Sequence, residues 1–71
     1  MTVLVEVNSS NVFAVGYDHD LKVLIVQFKD GSVYEYEAVE EAVHDQMMAA
    51  DSKGGFLHRE IKGKYTYRKV E

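Results

Sequence analysis

Leu21-Lys22-Val23-Leu24-Ile25-Val26-Gln27-Phe28-Lys29-Asp30-Gly31-Ser32-Val33-Tyr34-Glu35-Tyr36 is the stretch that decides the fold. Two apolar runs flank Asp30-Gly31, and Asp-Gly in that setting is the strongest short signal for a β-hairpin. The first strand reads from about Leu21 to Phe28. Leu21, Val23 and Ile25 fall on one face, and Leu24, Val26 and Phe28 on the other. Apolar residues on both faces predict a central strand covered on both sides. The second strand, Ser32–Glu37, alternates: Tyr34 and Tyr36 point one way, Val33, Glu35 and Glu37 the other.

Upstream, Thr2–Val7 and Val12–Tyr17 read as two further strands, separated by the turn residues Asn8-Ser9-Ser10-Asn11. Asn8-Ser9-Ser10 matches a glycosylation sequon, but the N-terminus lacks a secretory pattern and the match is set aside. In the second strand Val12, Ala14 and Gly16 share one face, and Phe13, Val15 and Tyr17 the other. Gly16 marks either a bulge or a close backbone approach. Asp18-His19-Asp20 turns the chain into the hairpin. Neighbouring side chains in a turn diverge, so a solvated turn is favoured there over a metal site.

Downstream, Ala38–Ala50 reads as a helix with the apolar stripe Val39, Ala42, Val43, Met47 and Ala50. Glu40 and Glu41 suit its first turn. Met47 and Met48 read as gap-filling core, and His44 as a plain surface histidine beside the stripe. Asp51-Ser52-Lys53-Gly54-Gly55 reads as the stop of that helix. Phe56–Lys62 is then a short second helix or an irregular turn ended by Gly63, and Lys64–Val70 is the last strand. The expectation is an α+β fold. An antiparallel sheet of four to five strands is packed by one main helix and a short second one, in the order β-β-β-β-α-(α)-β.

A chain of 71 residues makes one domain, residues 1–71. It buries only about 60% of its unfolded surface, so stability is modest. There is no cysteine, which excludes disulfides and thiolate chemistry and fits a reducing cytoplasm. No apolar run approaches the ~18 residues of a membrane span. Charge is segregated within the net −4. From Lys53 to Val70 six cations stand against one acid, a net +5; residues 1–52 hold two cations against ten acids, a net −8. An acidic protein with one basic face can still bind a nucleic acid there. Alternatively, the opposite charges simply meet across the fold.

No catalytic pattern emerges. Ser9, Ser10, Ser32 and Ser52 form no motif with His19, His44 or His58. Lys53-Gly54-Gly55 lacks the long glycine loop of a nucleotide-binding unit. The expectation is a non-enzyme without cofactor or metal. The sharper signal is a run of cations interleaved with aromatics: His58, Arg59, Lys62, Lys64, Tyr65, Tyr67, Arg68 and Lys69. Single-stranded nucleic acids are held by cations on phosphates and rings on bases. Lys53, Arg59, Lys62, Lys64, Tyr65, Tyr67 and Arg68 are therefore the candidate nucleic-acid-binding residues. Tyr34 and Tyr36 add rings if the last strand pairs beside them, although Tyr-x-Tyr on one strand face is also ordinary sheet packing.

Ser9-Ser10, Gly16-Tyr17-Asp18, Leu24 to Phe28, Asp30-Gly31, Tyr34-Glu35-Tyr36, Ser52-Lys53-Gly54, Ile61-Lys62 and Tyr65 to Tyr67 together resemble the KTSC family. That small domain is named for a C-terminal extension of some lysyl-tRNA synthetases, and it also stands alone in bacteria and phages. The resemblance spans about Val7 to Lys69, and Tyr34-x-Tyr36 matches its central Tyr-x-Tyr. Where the family usually has a proline after the helix-opening valine, Glu40 follows Val39. Glutamate also suits a helix start. The resemblance implies an RNA-binding role and transfers no catalytic residue. Two functions remain in view: an RNA-binding module using the basic C-terminal third, and a protein-interaction module using a strand edge or helix face.

Overall fold

In the computed structural model, which describes residues 2–71, the strands pair in sequence order as one antiparallel sheet. The elements are β1 (Val5–Glu6), β2 (Val12–Asp18), β3 (Val23–Phe28), β4 (Val33–Tyr36), α1 (Glu41–Ala49), α2 (Lys53–Phe56), a π-helical turn over Leu57–Ile61, and β5 (Tyr67–Lys69). The expected order and fold class hold.

The hairpin forms where the sequence places it. Phe28 N–H donates to Ser32 O (2.8 Å) and Gly31 N–H to Phe28 O (3.0 Å), which closes a three-residue loop. Gly31 sits at φ +94°, a conformation that only glycine adopts without strain. Asp30 Oδ1 accepts from both Ser32 N–H (2.9 Å) and Ser32 Oγ–H (2.6 Å).

Register sorts the side chains into rows. Tyr17, Leu24, Tyr36 and Tyr67 lie opposite one another across β2–β5, as do Val15, Val26, Tyr34 and Lys69. These rows face the helices. Gly16, Ile25, Glu35 and Arg68 form a row on the other face. The core lies between the first set and the helical layer: Val12, Val15, Leu24, Val26, Tyr36, Val39, Met47, Phe56, Leu57 and Ile61 are all buried.

Six expectations are corrected. Regular pairing on the first strand spans only Val5–Glu6, not Thr2–Val7; residues 2–4 instead lie across Gly16. A Cβ at Gly16 would stand 2.9 Å from Val3 O and would strike the Leu4 side chain, so this glycine marks the close approach. The irregularity in β2 lies between Val12 and Ala14. It breaks the alternation, burying Val12, Ala14 and Val15 together and turning Phe13 outward.

Third, β3 is central, but helices cover only one of its faces. Val23 and Ile25 are half-buried, and Leu21, outside the strand, is 71% exposed. Fourth, α1 begins at Glu41, not Ala38. Ala38 turns the chain at φ +57°, and buried Val39 is tied to the hairpin entrance by its N–H on Lys22 O (2.8 Å). Ala42 is consequently exposed and not part of the buried stripe.

Fifth, Ser52-Lys53-Gly54-Gly55 opens a helix and does not close one. Ser52 Oγ caps α2 by accepting from Gly55 N–H (3.0 Å). Gly54 has no side chain because the Asn11 amide occupies the space a Cβ would fill. The expected second helix therefore starts three residues early, and Gly63, at φ +81°, ends the helical segment as expected. Last, β5 spans Tyr67–Lys69, shorter than Lys64–Val70. Hydrogen bonds from Glu37 N–H to Thr66 O and from Val70 N–H to Val33 O (both 2.8 Å) continue the ladder to either side. No helix of the described residues is long and apolar enough to cross a membrane.

Candidate functional site

The helical layer covers the β2–β3 side of the sheet and leaves part of β4 and β5 bare. The gap is a cleft of about 760 Å³. Phe28, Tyr34, Tyr36 and Tyr67 contribute rings. Lys62 and Gly63 form one wall, Ser10 and Asn11 a second, and Lys29, Asp30 and Ser32 of the hairpin loop a third. Lys29 N–H donates to Asn11 O (2.9 Å), which joins the last two walls.

The rings form a ladder because strand alternation puts Tyr34, Tyr36 and Tyr67 on one face and register sets them side by side. Centroids are 5.7 Å apart for Tyr34–Tyr67, 5.8 Å for Tyr36–Tyr67 and 5.6 Å for Phe28–Tyr34, the last edge-to-face. Exposure grades along the ladder. Tyr36 is buried and belongs to the core, Tyr34 and Phe28 are half-buried, and Tyr67 is 58% exposed at the sheet edge. Burial, followed by the neighbouring Tyr34 and Tyr67, pushes the Tyr36 hydroxyl above its ordinary pKa.

Cations rim the rings. Lys62 Nζ stands 5.6 Å from the Phe28 ring centroid. Lys29 lines the cleft, and Lys69 lies in the same cross-strand row as Tyr34. Among the described residues, Asp30 is the one acid lining the cleft. Its carboxyl is held below its ordinary pKa, first by the two Ser32 hydrogen bonds, with Lys69 adding a smaller electrostatic pull.

The structure divides the residues nominated from the sequence. Lys62 and Tyr67 line the cleft. Tyr65 is half-buried against the core. Lys53 is turned inward, and its Nζ donates to Ala50 O (2.8 Å) at the end of α1. Arg59 is exposed on the helical turn, with a guanidinium nitrogen 3.0 Å from where a Gly55 Cβ would stand. Lys64 pairs with Glu60 (3.6 Å). Arg68 is on the opposite face of the sheet, bonded to Glu35 (2.7 Å). The basic run is thus not one continuous surface, because alternation along β5 sends consecutive side chains to opposite faces. The sequence does not nominate Phe28, Lys29, Asn11 or Asp30 as binding residues. Only their adjacency to the Asp-Gly turn and the Asn-Ser-Ser-Asn loop hinted at them.

A second cluster corrects the reading of His44. Its ring stacks on Tyr17 (centroids 5.2 Å, 23° between planes), so it is a half-buried packing residue and not a plain surface histidine. His19 meets the same tyrosine edge-on and its Nδ1 lies 3.4 Å from Glu41 Oε2. Asp18 Oδ1 accepts from the N–H groups of Asp20 and Leu21 (both 3.0 Å), the self-contained turn expected there.

Comparison with known proteins gives one consistent answer. The family model described as KTSC domain matches residues 8–65. A crystal structure of a KTSC domain protein from Yersinia pestis superposes with a TM-score of 0.94 at 39% identity, covering 100% of both chains. An uncharacterised protein of Stutzerimonas stutzeri is 34% identical over 68 residues, 94% of this chain and 96% of its own length. A lysine–tRNA ligase of Trichormus variabilis is 39% identical over 54 residues, 76% of this chain. The match spans only about a tenth (10%) of that ligase.

Proposed function

The chain belongs to the KTSC domain family, and from that premise we propose that it is a non-catalytic module that binds single-stranded RNA in the tyrosine cleft. The observation that carries this reading is the exposed Tyr67 ring beside Tyr34, in the cleft that Lys62 also lines. A ring open on one side stacks a base, and lysines around it hold the flanking phosphates. Relatives named lysine–tRNA ligases match this chain over about a tenth of their length, which supports an RNA ligand. The remaining acidic surface repels nucleic acid and confines binding to this patch.

The test is a titration with a mixed-sequence RNA hexamer at low salt, followed by backbone amide shifts. Shifts should cluster on Phe28–Tyr34, Lys62–Gly63 and Tyr67. If Lys29, Lys62 and Lys69 make the phosphate contacts, the log–log salt slope should be about −2, at roughly 0.7 per contact. Tyr67→Ala should cost about 1–3 kcal/mol of affinity. The absence of shifts at low salt, or shifts confined to the opposite sheet face, would overturn the reading.

One observation favours a protein-interaction role instead. The sheet face away from the helices displays Leu4, Val23 and Ile25 half-exposed, and β5 ends the sheet with a free outer edge. Concentration-dependent association without RNA binding would favour this second reading.

A further inference from the structure

Asp30 is out of place in a cleft built only to hold phosphates. It lines the ring ladder together with Lys29 and Lys62, and a carboxylate there repels the backbone that the lysines attract. Turn chemistry accounts for an Asx residue at position 30 but not for its charge. Asn-Gly makes such a turn as well as Asp-Gly does, and an asparagine oxygen would accept the same two hydrogen bonds. Those bonds, from Ser32 N–H and Ser32 Oγ–H, both fall on Oδ1. Oδ2 has no hydrogen-bond partner among the described residues.

Resting on the RNA-binding reading above, we propose that Asp30 determines base specificity, with Oδ2 accepting from the donor edge of a guanine seated on the tyrosine ladder. Guanine presents two adjacent donors, N1–H and the N2 amine, on one edge. Their dipoles converge on a carboxylate, and a charge-assisted hydrogen bond forms at lower cost than a neutral one. Uracil presents one N–H between two carbonyl oxygens, which a carboxylate repels. Cytosine and adenine, each with one amine beside ring acceptors, fall between. The hairpin loop sets Asp30 on the lining of the same cleft as Tyr34 and Tyr67, so recognition requires the Watson–Crick edge of a base stacked there to point toward that loop. That edge is free only in a single strand, so a duplex is excluded as the ligand.

The experiment compares two RNA hexamers, all uridine and uridine with guanosines at the two central positions, on the wild-type chain, Asp30→Asn and Asp30→Gly. Both variants keep a hairpin-forming turn dipeptide, Asn-Gly or Gly-Gly. The expected result is a wild-type preference for the guanosine hexamer of about fivefold or more, falling to near unity in both variants. Asp30→Asn should also raise affinity for the uridine hexamer, because a repelling charge is removed. Equal wild-type affinities for the two hexamers overturn the assignment and leave RNA binding intact. A guanosine preference that persists in Asp30→Asn and Asp30→Gly overturns it equally. Failure of the wild type to bind either hexamer removes the RNA-binding reading and this inference with it.

Discussion

Arg68 Nη2 lies 2.7 Å from Glu35 Oε1, on the face of the sheet turned away from Tyr67. Arg68 and Tyr67 are adjacent in sequence, yet the sheet separates them. The ion pair bridges β4 and β5 at the edge of the open face, in the same cross-strand row as the half-buried Ile25. It follows that Arg68→Ala should leave affinity for a single-stranded RNA within about twofold of wild type, whereas Lys62→Ala should lower it and reduce the salt slope by roughly 0.7. Filter binding or fluorescence anisotropy over a salt series distinguishes the two variants.

Asn11, in the loop before β2, fills the space beside Gly54 at the start of α2. A methyl group at position 54 would overlap the Asn11 side-chain oxygen. Gly54→Ala should destabilise the fold by about 1–3 kcal/mol, as overpacking does, even though alanine is the better helix former. Adding Asn11→Ala should recover part of the loss, a coupling that a double-mutant cycle in urea would measure.

Ala38 holds a left-handed conformation at φ +57°, and so does Lys22 (φ +56°), the residue whose carbonyl receives the Val39 N–H. A β-carbon in that conformation costs roughly 1–2 kcal/mol, while glycine adds unfolded-state entropy of about 0.4–1 kcal/mol. The balance favours Ala38→Gly by up to about 1.5 kcal/mol. Equilibrium denaturation should show a higher midpoint with an unchanged slope.

Tyr17 donates its hydroxyl proton to Val39 O, fastening β2 to the chain leading into α1. Tyr17→Phe should cost about 0.5–1.5 kcal/mol. The hydroxyl pKa of Tyr17 is raised, first by burial and then by Glu40 and Glu41, and burial raises that of Tyr36 as well. In both, the unfolded chain gives up its proton before the folded one. Stability from these groups is therefore full below the ordinary tyrosine value of about 10 and is lost as pH rises through the folded values. Denaturation midpoints followed from neutral to strongly alkaline pH should fall in that window, and Tyr17→Phe should shallow the fall.

Much of this was legible in the residues. The Asp-Gly turn, the alternation of Tyr34 and Tyr36, and the stop at Gly63 are local features, each set by the conformational preferences of a few neighbouring residues. Alternation also separates Tyr67 from Arg68 once both are placed on one strand. The start of α1 was harder to read. Val39 looks like part of a helical stripe, but its backbone is spoken for by Lys22 in a distant loop. The glycines at 54 and 55 looked like a helix stop because their sequence does not show that Asn11 and Ser52 occupy the space beside them.

By itself, the sequence determined the strand and helix order, the hairpin, and which tyrosines share a face, since side-chain period and turn chemistry act over two to four residues. Only the tertiary structure decided that Phe28, Asp30, Lys62 and Tyr67 meet in one cleft while Lys53 turns inward and Arg68 faces away. The reason is physical. Strand register and helix seating are fixed by burying the whole core at once, and no short window of sequence contains that sum.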